Sequence, residues 1–115
     1  MGKKGLSCLT KPEREVVESF VKELREKLDK EIVSIKLFGS KVRGNSKKDS
    51  DIDIFILVEE KTLKTSEIID DLTADYIFNY NLPISPVLYD LFEYRKNKEL
   101  GSFFFENVEK EGVVL

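Results

Sequence analysis

An apolar run opened by two acids, Asp51-Ile52-Asp53-Ile54-Phe55-Ile56-Leu57-Val58, constrains this chain more than any other stretch. After Asp53 it carries no polar residue, and its Ile, Phe and Val favour extended structure, so it predicts a central strand covered on both faces. In a strand, side chains i and i+2 share a face. Asp51 and Asp53 therefore set two carboxylates side by side, with Ile52 pointing away. Adjacent like charges are costly unless a cation lies between them. Hard oxygen donors suit magnesium, above all beside a phosphate site.

The flanking residues supply the rest of a sheet. Residues 32–38 alternate Val33, Ile35 and Leu37 against Ser34 and Lys36, and predict a strand leading into Gly39-Ser40. A basic loop follows through Lys41, Arg43, Lys47 and Lys48; residues 40–43 suit a short helical turn ended by Gly44. Upstream, Thr10-Lys11-Pro12-Glu13 is a capping box. Behind it Val16, Val17, Phe20, Val21, Leu24 and Leu28 mark one stripe of a helix over residues 11–30. A second long helix spans residues 63–81, started by Thr65 or Ser66, with Ile68, Ile69, Leu72, Tyr76 and Tyr80 inward. Pro83 and Pro86 bracket the start of a third strand, residues 84–89, and suit a sheet edge. Residues 91–111 predict one or two short helices broken near Gly101. The order α-β-β-α-β-α gives an α/β (α+β) fold, a small mixed sheet of three or more strands backed by helices. We expect residues 1–9 to be flexible and residues 10–115 to form a single domain.

Composition narrows the chemistry. The 115 residues include no histidine and one cysteine, Cys8. That excludes Ser-His-Asp and Cys-His catalysis, histidine-ligated zinc and an internal disulfide, and leaves carboxylates as the catalytic groups. With 22 acidic and 19 basic residues the net charge is −3, so general affinity for nucleic acid is not expected. No run is long and apolar enough for a membrane span, and a cytoplasmic location is expected.

Two familiar loops resemble the central stretch and fail. Gly39 to Gly44 has glycines at the interval of a Walker loop, but Asn45 stands where lysine is required. Asp49, Asp51, Asp53 and Glu60 fall at calcium-hand positions 1, 3, 5 and 12, yet position 6 is Ile54 rather than glycine. A solvated acidic turn is the plain alternative. Against it stands the conjunction of strand, Gly-Ser, basic turn and Ser-Asp-x-Asp entering a second strand.

The run Gly39-Ser40-x-x-Arg43-Gly44, followed by Ser50-Asp51-x-Asp53, resembles the signature of the DNA polymerase β-type nucleotidyltransferase superfamily. Within it the chain is most similar to the minimal nucleotidyltransferases, and its C-terminal residues 105–115 resemble their closing helix and tail. The resemblance implies a nucleotidyltransferase fold and transfer of a nucleoside monophosphate from ATP or another NTP to an acceptor hydroxyl. It implies that Asp51 and Asp53 are catalytic and bind one or two Mg²⁺ ions. Gly39, Ser40, Arg43 and Ser50 would then bind the nucleotide.

One departure stands out. Members of the superfamily carry a third carboxylate at the start of the third core strand, and here the pattern puts Ser85 in that place. Asp90 is the nearest acid, but it lies roughly 16 Å along an extended strand and reads as a helix cap. Asp75 or Asp49 could substitute, with nothing in the sequence favouring either. The alternative to an enzyme is therefore a catalytically weakened module that binds a nucleotide or a partner, like an antitoxin. Such proteins commonly accompany a helical HEPN-type protein in toxin–antitoxin pairs, and the resemblance allows that partner or a homodimer. The consecutive Phe103, Phe104 and Phe105 cannot all face one core, so one should point outward unless they fill a small core between two helices.

Overall fold

The computed structural model describes residues 9–39, 51–101 and 103–115. Helix α1 (Lys11–Leu28) starts from the reciprocal cap that the Thr10-to-Glu13 spacing predicts. The Glu13 amide donates to Thr10 Oγ1 at 3.2 Å, and the Thr10 amide donates to the Glu13 carboxylate at 2.9 Å. Val17, Phe20, Val21, Leu24 and Leu28 form its buried stripe. The helix ends two residues early: Asp29 takes a positive φ of 42°, and one 3₁₀ turn, Asp29–Glu31, leads to the sheet. Leu9 is buried in the same core, and residues 1–8 lie outside the described residues.

Strand β1 (Ile32–Phe38) occupies the expected span and buries Ile35 and Leu37. Val33, expected inward with them, is exposed. The reason is a register shift: Ile32 and Ser34 face the adjacent residues Val58 and Leu57 of strand β2 (Ile52–Val58), so Val33 is the extra residue of a bulge. Strand β2 pairs antiparallel with β1 and parallel with β3 (Ile84–Asp90), and its apolar residues are buried throughout. Central placement is what its uninterrupted apolar run required.

Helix α2 (Leu63–Tyr80) crosses between β2 and β3. Its N-cap is Thr62, not Thr65 or Ser66. Thr65 is instead the third helical residue, its hydroxyl accepting from the Thr62 amide at 2.9 Å and donating to the Thr62 carbonyl at 2.8 Å. Ile69, Leu72 and Tyr76 are buried as expected, but Tyr80 is exposed and only leans on the Tyr76 ring, 5.2 Å away. The helix is ending there: Asn81 adopts the left-handed conformation, which asparagine tolerates better than most residues. Thr73 Oγ1 is the one buried side-chain polar atom without a partner among the described residues. Thr73→Val keeps the shape and removes the orphaned hydroxyl, so urea unfolding should show a gain of about 1 kcal/mol.

Strand β3 lies at an edge, where Pro86 costs no central ladder bond. Helices α3 (Leu91–Glu99) and α4 (Phe103–Glu111) follow, separated at Gly101, which has φ of 71°. The chain then adds a strand that the sequence reading treated only as a tail. Strand β4 (Val113–Val114) pairs antiparallel with β1, and the Leu115 amide donates to the Ile35 carbonyl at 2.9 Å. The result is a mixed four-stranded sheet in the order β3-β2-β1-β4, backed by four helices among the described residues. Helices α1 and α2 cover the face of Ile35, Leu37, Ile54 and Ile56. Helices α3 and α4 cover the other, against Phe55 and Leu57. No helix among the described residues is long and apolar enough to cross a membrane.

Candidate active site

Alternation along β2 puts Asp53 on the same face as Phe55 and Leu57, the side that α3 and α4 cover. Antiparallel pairing sets Phe38 opposite Asp53, and parallel pairing sets Ser85 on its other flank. A row of Phe38, Asp53 and Ser85 therefore crosses three strands. Because β2 is central, the Asp53 backbone is held from both sides. Asp51 stands one residue before the strand and is exposed, while Asp53 is half-buried.

Gly39 follows the last residue of β1 and closes over this carboxylate. It has φ of 86°, and a Cβ added there would lie 2.2 Å from Asp53 Oδ2 and 3.1 Å from its Cγ. The backbone angle favours glycine, and any Cβ there would force the Asp53 carboxylate to move. The Asp53 carboxyl is pushed above its ordinary value of 3.8, first by burial and then by the neighbouring Asp51 charge. Both causes penalise the ionised form, and a divalent cation between the two acids would remove both penalties. The donor set thus fits a hard cation. Among the described residues no third acid, histidine or cysteine joins the pair.

The expected departure at Ser85 is thereby located, since Ser85 is the register partner of Asp53. Asp90 pairs with Val58 at the opposite end of the strands and caps α3. Its Oδ1 accepts from the Glu93 amide at 2.9 Å and its Oδ2 from the Lys61 amide at 3.2 Å. The Glu93 hydrogen bond, ahead of the Lys61 interactions, holds its carboxyl below the usual range. Asp90 is a cap, as its position in the sequence suggests. Asp75 lies exposed on α2. Ser40, Arg43 and Ser50, the other expected nucleotide-binding residues, lie outside the described residues, as do Asp49 and the loop lysines.

The aromatic surroundings were not foreseen from the sequence. The Phe38 ring meets the Phe104 ring edge-on at 5.5 Å, and Phe104 lies 6.2 Å from Phe55. Phe105 is buried against Tyr89 and Tyr94 at 4.8 and 5.1 Å. Of the three consecutive phenylalanines, Phe105 fills the core, Phe104 is half-buried and Phe103 faces out, as helical geometry requires. The start of α4 thus forms an aromatic wall on the side of the sheet that carries the acids.

Residues 17–114, which include every strand, match the family model of the nucleotidyltransferase domain. Three proteins of Methanocaldococcus jannaschii, each bearing the name "Putative protein adenylyltransferase", are similar to the chain. One is 36% identical over 104 residues, covering 86% of this chain and 94% of its own length. A second is 32% identical over 103 residues, covering 90% and 97%. The third is 26% identical over 76 residues, covering 64% of this chain and 52% of its own.

Proposed function

This chain belongs to the nucleotidyltransferase domain family, and from that premise we propose that it transfers the adenylyl group of ATP, with Mg²⁺, to a hydroxyl acceptor on a protein. The observation that carries the reading is the crowding at Asp53. A glycine without room for a Cβ and a second acid both press on a half-buried carboxylate at the end of a central strand. Carboxylates raised in this way cluster at functional sites, and a metal–phosphate site would relieve the crowding. The names of the M. jannaschii relatives support adenylyl transfer and a protein acceptor.

In this reading Asp51 and Asp53 would hold Mg²⁺, which when bound would supply positive charge to the triphosphate and its leaving group. Gly39 keeps the Asp53 carboxylate in place and leaves its own amide free to approach phosphate. Ser40 and Ser50 donate hydroxyl hydrogen bonds to the nucleotide, and Arg43 offsets its charge. The acceptor oxygen bonds to the α-phosphorus while that phosphorus loses the bridging oxygen to pyrophosphate. The acceptor proton passes to solvent.

A second reading, that of a nucleotide-binding module with weakened chemistry, is favoured by Ser85. A serine flanks Asp53, and no third acid joins the pair among the described residues. In that case the exposed Phe78 and Phe92 would support binding to a helical HEPN-type protein or a second copy. Incubation with ATP labelled at the α-phosphate, Mg²⁺ and a protein extract separates the readings. Label appearing on protein, and lost in Asp51→Ala, supports the enzyme. ATP bound through Asp51 without any label transfer leaves the module.

A further inference from the structure

Asp53 has a neighbour on each flank of its own face of the sheet, and neither carries a charge. Strand β3 pairs with β2 so that Ser85, Val87 and Tyr89 stand beside Asp53, Phe55 and Leu57. The Tyr89 ring stacks on that of Phe55 at 6.0 Å, so strand alternation puts all three β3 side chains on the acid-bearing face. Phe38 takes the other flank, from β1. From Leu82 to Tyr89 the chain holds no charged residue. The next acid, Asp90, is the register partner of Val58 at the far end of the strands, with its two carboxylate oxygens accepting from the Glu93 and Lys61 amides. Among the described residues no third acid joins Asp51 and Asp53.

We infer that this site is built for a single divalent cation, and that Ser85 is the residue that sets the count. The inference rests on the metal reading of Asp51 and Asp53 and adds the stoichiometry. Two carboxylates carry two negative charges and balance one divalent ion. A second ion at the roughly 3.5–4 Å of two-metal sites would repel the first with roughly four times the energy of two unit charges at that distance. Holding it takes further negative charge beside Asp53. The in-register position on β3 is where the backbone can present that charge on the same face, about one strand spacing of 4.8 Å away. Ser85 puts a neutral hydroxyl there, which can hydrogen-bond but cannot balance a cation. The Phe38 side chain has no oxygen to offer. The acceptor hydroxyl is thereby left without a cation of its own to make it more acidic.

Electron paramagnetic resonance of Mn²⁺ with equimolar α,β-methylene-ATP reads the count, because this analogue cannot be cleaved at the bond that transfer breaks. The natural protein should hold one Mn²⁺ per chain with the spectrum of an isolated ion, and the Asp51→Ala/Asp53→Ala variant should lose it. Ser85→Asp should hold two, with the spin-coupled signal of a close pair. Ser85→Asn, similar in shape but neutral, should stay at one. Circular dichroism checks that each variant keeps the fold, and if Ser85→Asp does not, the natural protein alone still decides the count. A coupled pair in the natural protein overturns the inference, and its reduction to one ion in Asp49→Asn would place the missing carboxylate in the loop outside the described residues. A single ion in folded Ser85→Asp overturns the assignment to Ser85. Mn²⁺ held equally by the natural protein and the double variant overturns the reading of the acids, and the count with it.

Discussion

Asp53→Asn is expected to lower nucleotidyl transfer by about a thousandfold or more, and at the same time to raise the melting temperature of the metal-free protein at neutral pH. The two effects share a cause. Burial and the Asp51 charge raise the Asp53 carboxyl above 3.8, so the folded chain binds this proton more tightly than the unfolded chain does. The contribution of Asp53 to stability is therefore best at low pH. It declines as pH rises from the unfolded value through the raised one, and it is unfavourable above that window. Asparagine has no charge to suppress. The melting-temperature advantage of the variant should be largest near neutrality and shrink as acid protonates Asp53 in the natural protein. Adding Mg²⁺ should raise the natural protein's melting temperature and leave that of the variant nearly unchanged. Differential scanning fluorimetry from pH 4 to 8, with EDTA or Mg²⁺, reads every one of these shifts. A variant less stable than the natural protein in EDTA at pH 7 would contradict the account.

Gly39→Ala is expected to damage activity far more than stability. Alanine at φ of 86° costs about 1–2 kcal/mol, which the rest of the sheet can absorb. The new methyl group cannot coexist with Asp53 Oδ2 at 2.2 Å, and the carboxylate must rotate out of its place. A misplacement of about 1 Å can cost on the order of a hundredfold in rate. We expect a rate loss of about that size, with Mg²⁺ binding weakened in parallel. Single-turnover kinetics beside urea unfolding would check it: a variant as active as the natural protein would show that the contact has no bearing on the chemistry.

The parts of the fold legible in the sequence are those fixed by local pattern. The run from Ile52 to Val58 could only be a buried central strand, and Thr10 with Glu13 could only open a helix. Asp90 reads as a cap because it lies too far along the strand to join the acids, and the structure adds a reciprocal hydrogen-bonded cap with Glu93. What local pattern does not encode was missed. Strand β4 is two residues long and has no period to detect; it exists because β1 offers it an edge. Val33 faces out because of a bulge, which depends on register with Leu57 and Val58 and not on its own neighbours. The sequence pattern starts this helix at Thr65 or Ser66, whereas the cap is Thr62, because the buried Thr65 hydroxyl turns back to the Thr62 backbone.

The same division applies to the candidate site. Strand alternation predicts the pairing of Asp51 with Asp53, although Asp51 stands one residue before β2 and its charge is what reaches Asp53; the place of Ser85 comes from the resemblance. The closure of Gly39 on Asp53 and the aromatic wall arise from pairings between residues far apart in sequence. Phe103 to Phe105 could be recognised as unable to share one core. Nothing in the sequence said that their helix would begin beside the acids.

Isothermal titration of Mg-ATP into the natural protein and into the Asp51→Ala/Asp53→Ala double variant tests the central claim most directly. The account predicts saturable binding to the first and none to the second at the same concentrations, with the double variant folded and no less stable in EDTA. Equal affinity in both proteins would contradict it.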